Sequence, residues 1–166
     1  MYTIAKYKNA GCASSFYTLK NSKRGFKTFE NEEAATIAHH NQKRLAEYDL
    51  APRVYSDVGR VRVGEGKKLS KWGYITEMAD TIGCGGNSCS CCDRDELECE
   101  MEDDINELVG KIEEIGFYFG DCHSGNVGYV KRGSRWVLVC IDTGDESVTS
   151  DECYCLICKK GGNCCG

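Results

Sequence analysis

The sequence predicts an α+β fold, and three observations predict it. Short stretches rich in β-branched and aromatic residues come in groups bounded by Gly, Asn and Ser turns. Two longer stretches carry apolar residues at helical spacing. The two kinds of segment also segregate. Their order is three strands, a helix, two or three strands, a cysteine-rich insert, a second helix, strand pairs and a cysteine-rich tail, which disfavours a parallel doubly wound sheet.

Tyr2, Ile4 and Tyr7 lead into a small-residue loop from Asn9 to Ser15, and Phe16 to Leu19 resumes an extended pattern. After the turn from Asn21 to Gly25, Phe26 to Phe29 completes a hairpin plus third strand. From about Glu30 to Tyr48, the residues Ala34, Ile37, Ala38, Leu45 and Tyr48 recur at helical spacing, and acidic side chains at the start suit the helix dipole. His39 and His40 on that helix are expected to face solvent. Pro52, the only proline, is expected to end the helical stretch. Arg53 to Tyr55, Val61 to Val63 and Trp72 to Met78 read as strands. Gly83 to Cys92 is too rich in Gly, Ser and Cys to build a core. Leu97, Met101, Ile105, Leu108, Val109, Ile112 and Ile115 then mark a second amphipathic helix stopped by Gly116. Phe117 to Phe119, Val127 to Val130 and Trp136 to Ile141 read as strands, the last two around a turn from Lys131 to Ser134.

A chain of 166 residues, 41% hydrophobic, suits one domain or a small domain with a metal-bound appendage. With a formal net charge of -5 there is no global basic field to hold a phosphate backbone, so neither nucleic acid nor a membrane is expected as a partner. The segment MYTIAKYKNAGC lacks an apolar signal region, and no run approaches the ~20 apolar residues that span a bilayer. A soluble cytoplasmic protein is therefore expected. Cysteine is the outlier, with 13 residues. Cys12, Cys122 and Cys140 stand apart from two dense groups, and Cys12 and Cys140 read as small buried hydrophobes.

The segment richest in chemistry is Gly120-Asp121-Cys122-His123-Ser124-Gly125-Asn126, followed by a Val-Leu-Val strand that closes on Asp142-Thr143-Gly144. Asp and Asn in such a loop are also ordinary turn formers. Together, however, they supply the oxygen groups that phosphoryl transfer needs. One carboxylate accepts the proton of an attacking hydroxyl, while a carboxamide and a second carboxylate suit magnesium, which demands hard oxygen ligands.

At these residues the chain resembles the protein-kinase-like superfamily, most closely its aminoglycoside-type and RIO-type branch, whose catalytic loop reads Asp-x-His-x-x-Asn. Asp121, His123 and Asn126 match that loop, and Asp142-Thr143-Gly144 stands in place of the family's Asp-Phe-Gly. The resemblance implies a reduced bilobal fold with an antiparallel N-lobe sheet (residues 1–79) and a truncated C-lobe (80–147), into which this sequence puts a Cys-rich insert at 83–99; the Cys-rich segment 148–166 is read from its own cysteines as a zinc-binding tail. It implies an ATP-dependent phosphotransferase acting on a hydroxyl acceptor, on a protein by preference. Asp121 would be the base, and Asn126 and Asp142 the magnesium ligands. His123 would orient the loop and Lys27 would clamp the α- and β-phosphates. Glu33 would pair with Lys27, Glu30 and Glu32 being competitors. Gly11, Ser14 and Ser15 fall where the family has its phosphate-covering loop. Glu77 and Ala79 fall where backbone groups would meet an adenine edge. The family's helices after the activation segment have no counterpart, and such compactness suits a phage or bacterial accessory kinase.

The cysteine groups are Cys84, Cys89, Cys91, Cys92 and Cys99, then Cys153, Cys155, Cys158, Cys164 and Cys165. Four thiolates within a few turns of chain can close a tetrahedral zinc site, and the spacing of Cys155 and Cys158 is that of a zinc knuckle. Structural zinc is the expectation, with disulfides in an oxidising medium or an iron–sulfur cluster as alternatives. The rival functions are a catalytically inactive nucleotide-binding domain or zinc-stapled protein-interaction module, and a zinc-ribbon nucleic-acid binder. The ribbon has only Lys159-Lys160 as basic support, against the acidic run from Asp93 to Asp104.

Overall fold

A computed structural model describes residues 4–10, 14–19, 21–63, 69–81 and 101–150, and it is an α+β structure built on antiparallel sheets. Five strands, β1 (Ile4–Ala10), β2 (Ser14–Leu19), β3 (Arg24–Phe29), β4 (Gly59–Val63) and β5 (Leu69–Glu77), form one sheet in the order β1-β2-β3-β5-β4. β3 is the central strand of the sheet, and all its residues from Gly25 to Phe29 are buried. One face packs Phe26 with Leu19 and Ile75, and the other packs Phe29 and Tyr74 with Ala35 and Ala38 of the first helix. Lys27 shares the second face, opposite Tyr74 in the register, and is 6% exposed. Gly73 lets β5 approach that strand closely, because a Cβ there would lie 2.1 Å from the Lys27 carbonyl oxygen.

The first helix, α1 (Glu32–Ala46), begins where Asn31 Oδ1 accepts the Ala34 N–H. Its buried residues include Ala38 and Leu45 as expected, but also Ala35, Thr36, Asn41 and Gln42, whereas Ala34 and Ile37 are half-buried. Pro52 does not end it. The helix stops at Ala46, with Asp49 in the left-handed region (φ 56°) and its N–H on the Ala46 carbonyl, while the Leu50 N–H reaches back to Leu45. Tyr48 lies beyond this stop and is exposed. Nor do the helix histidines simply face solvent: both are half-buried, and His39 Nε2 contacts the Ser56 carbonyl while its ring meets Tyr74 edge-on. The strand expected at Arg53 to Tyr55 reduces to a single bridge, Val54 to Thr76.

The second half comprises β6 (Asp80–Thr81), α2 (Glu102–Glu114), β7 (Phe117–Phe119), β8 (Val127–Arg132), β9 (Arg135–Cys140) and β10 (Val148–Ser150). β6, β8 and β9 form one small sheet, and β7 pairs with β10. Gly116 follows α2 at φ 84°, a conformation that glycine adopts without penalty. β10 corrects the expected boundary of the tail. Val148 is fully buried and pairs with Phe119, so 148–150 belong to the fold. The main core joins Leu45, Leu50 and Ala51 to Leu108 and Ile112 of α2 and to the small sheets, so the end of α1 belongs to both halves. Among the described residues no helix is long and apolar enough to cross a membrane. Cys12 and the ten clustered cysteines lie outside the described residues, as does Gly11.

Candidate functional site

Lys27 reaches across from the large sheet to the segment that leaves β9. Its Nζ donates to the Ile141 carbonyl at 2.9 Å and lies 4.0 Å from Asp142 Oδ1. Burial holds the ammonium below its usual 10.5, with Asp142 and then Cys140 opposing that shift. Among the described residues the only ion pair of Lys27 is with Asp142, the residue that follows Ile141. Glu33 is not brought to it. Glu33 sits exposed in the first turn of α1, and of its competitors Glu30 pairs with Lys71. Helical spacing placed an acid early in α1, but that first turn faces water and the sheet is met by the later residues.

The Asp142 carboxylate is held from its own loop. Oδ2 accepts the Ser147 hydroxyl at 3.0 Å and Oδ1 accepts the Gly144 N–H at 3.3 Å, leaving the side chain one-third exposed. Thr143 is fully buried, and its hydroxyl donates to the Ala38 carbonyl of α1 at 2.9 Å. Asn41 of α1 completes the attachment: its Nδ2 donates at 3.1 Å to both Thr143 O and Val148 O. Three neutral hydrogen bonds thus fasten α1 to the Asp142 loop. Sequence reasoning missed Asn41, Gln42 and Ser147. For Asn41 and Gln42 the available signal was a polar residue on the buried side of a helix, which disturbs the apolar period, whereas Ser147 lies in a turn and offered no such signal.

The Asp121 turn packs beside this loop. Asn126 Nδ2 donates at 2.9 Å to both the Asp121 carbonyl and Asp121 Oδ2. Its other amide atom, Oδ1, has no partner among the described residues. The Asn126 carbonyl accepts the Ile141 N–H at 2.9 Å, one residue before Asp142. His123 caps the short 3-10 turn Ser124–Asn126 by accepting the Gly125 N–H at Nδ1, so a neutral ring carries its proton on Nε2, which faces Asp121 Oδ2 at 3.6 Å. Asp121 itself is more than half exposed, open to an acceptor from solvent. Cys140 is fully buried, and burial first, then Asp142, raises its thiol well above 9.0. It stays protonated and donates to the Asp142 carbonyl.

The phosphate-loop and hinge expectations change in detail. Ser14 and Ser15 are the first residues of β2, paired in register with Phe29 and Thr28, so they belong to the sheet. At the other edge the Glu77 N–H is already donated to the Arg53 carbonyl at 2.8 Å, and the Met78 N–H to Lys23. Ala79 packs with Val130 and Val139 of the second half. The Glu77 side chain accepts both Nη atoms of Arg132, at 2.8 and 2.9 Å, tying the end of β5 to the β8–β9 hairpin. Burial would raise that carboxyl, but the hydrogen bonds from Arg132 and Arg53 and their charges outweigh it and hold it below 4.5. Among the described residues no three His, Cys, Asp or Glu side chains group as a metal site. No family model matches the chain, and no curated protein proves similar to it.

Proposed function

We propose that the chain is an ATP-dependent phosphotransferase of the protein-kinase-like type, of reduced bilobal form, passing the γ-phosphate to a hydroxyl on a protein acceptor. The observation that carries this reading is the convergence of Lys27, Asp142 and Asn126 from three separate stretches of chain, with Asp121 bonded to Asn126. The strand order β1-β2-β3-β5-β4 followed by one helix and two small sheets supports it. Asp142 offers a partly exposed carboxylate and Asn126 an amide oxygen without a partner among the described residues. Two hard oxygens are what magnesium takes from a protein when phosphates supply the rest, so these residues fit that ion and would hold it. Bound there, magnesium would offset phosphate charge. Lys27 would add a fixed positive charge beside the same oxygens. Asp121 would take the acceptor's proton as the hydroxyl oxygen bonds to phosphorus and ADP leaves with the electron pair of the broken P–O bond. His123, bonded through Nδ1 to the turn, would hold Asp121 in place.

Structural zinc on the ten clustered cysteines is part of the same proposal, and it rests on their spacing and thiolate chemistry alone. The deciding experiment is mass spectrometry of the chain with ATP, magnesium and a protein acceptor. Transfer of phosphate by the wild type and its loss in Asp142→Ala, with an unchanged far-ultraviolet spectrum, is the expected outcome. Nucleotide binding without transfer to any hydroxyl would replace the enzyme by a nucleotide-binding module, and no binding would remove the reading.

A further inference from the structure

Ser147 belongs to no motif in the sequence, yet it touches both halves of the candidate site. The residue is 2% exposed. Its hydroxyl donates to Asp142 Oδ2 at 3.0 Å, and its carbonyl accepts the Gly120 N–H at 2.9 Å, one residue before Asp121. Its own N–H is bonded to the Gly144 carbonyl at 3.0 Å, so the residue cannot drift within its loop. A carboxylate otherwise free to rotate is thereby held with Oδ2 on the hydroxyl and Oδ1 on the Gly144 N–H, 4.0 Å from Lys27 Nζ. We propose that Ser147 is a positioning residue: through side chain and backbone together it sets the orientation of Asp142 toward a divalent cation and the spacing between Asp142 and Asp121. This rests on the phosphotransferase reading and adds to it a residue that acts only through Asp142.

The test uses the full chain with Mn2+ as the probe, its free ion followed by electron paramagnetic resonance in the presence of ATP. Ser147→Ala removes one oxygen from a buried position and leaves the backbone bonds in place. It should raise the Mn2+ concentration for half-saturation about tenfold, the effect of losing one hydrogen bond to a charged group. Affinity for ATP without added divalent ion should stay within twofold of wild type. Ser147→Thr keeps the hydroxyl and should restore wild-type Mn2+ binding. A purely structural serine predicts equal loss of ATP and Mn2+ affinity in Ser147→Ala, and that result overturns the proposal, as does unchanged Mn2+ binding. A wild-type chain that binds no Mn2+ with ATP removes the phosphotransferase reading as well, whereas failure confined to Ser147→Ala removes this inference alone.

Discussion

Asn41→Ala tests whether α1 is fastened to the Asp142 loop by hydrogen bonding, as the geometry indicates. The Asn41 side chain is 4% exposed, and its amide orientation is unambiguous because both neighbours, Thr143 O and Val148 O, are carbonyl acceptors at 3.1 Å. Truncation leaves two buried carbonyls without that donor. Each such loss costs about 1–3 kcal/mol. A carbonyl keeps a second lone pair, and the vacated space is polar enough for a water, so the lower half of the summed range applies. We expect a loss of about 3 kcal/mol, read as a fall in urea midpoint at constant m-value, or a melting temperature lower by roughly 6–12 °C for a chain of this size. Asn41→Asp sharpens the test. At neutral pH it presents a carboxylate to two carbonyls, so it should be less stable than Asn41→Ala and should regain stability as acid protonates the new group and restores a donor. An Asn41→Ala variant within about 0.5 kcal/mol of wild type, which is ordinary for surface substitutions, would refute the attachment, and so would an Asp variant indistinguishable from it at every pH.

Asp121→Asn should keep ATP binding and lose transfer by roughly 100- to 10,000-fold, measured in single-turnover phosphate transfer, because the amide cannot accept the acceptor's proton. Lys27 gives a pH signature: its ammonium is depressed by burial, so the unfolded chain binds the extra proton between the folded value and 10.5, and stability rises with pH across that window. Denaturation of wild type against Lys27→Met should therefore show the wild type gaining on the variant as pH climbs toward 10.5, and a gap that is constant or widens in the variant's favour would contradict the burial. Strong chelation under reducing conditions should release about one or two zinc ions per chain, four thiolates to each, and lower the melting temperature sharply. Destabilisation by reductant alone, with no metal found by elemental analysis, would assign the clustered cysteines to disulfides.

The elements that sequence revealed and those it hid differ in length and in what their residues must do. α2 was legible because Leu108, Ile112 and Ile115 keep the helical period to the Gly116 stop, and β8 and β9 because their apolar residues flank a turn. β6 and β10, of two and three residues, are too short to show a period, and only their pairing with β8 and β7 defines them. The Asp121 turn was legible because its spacing is local: the amide of Asn126 has to return to Asp121 five residues back. The partner of Lys27 was not, since choosing between Glu33 and Asp142 requires knowing which side of α1 meets the sheet. The same ignorance concealed Asn41 and Gln42, polar residues in the middle of the buried face. Their positions explain why the expected Lys–Glu pair has no counterpart here. Gln42 takes the Tyr74 hydroxyl on its oxygen and gives its amide protons to Pro52 O and Thr76 Oγ1, while Asn41 and Thr143 join α1 to the loop of Asp142. With α1 already fastened on both sides by neutral groups, a charge on the helix is not required to hold it against the site. Neutral hydrogen bonds are also far less sensitive to salt than a surface ion pair, so the placement of Asp142 relative to Lys27 should persist from low to high ionic strength, with Glu33 free to remain in water.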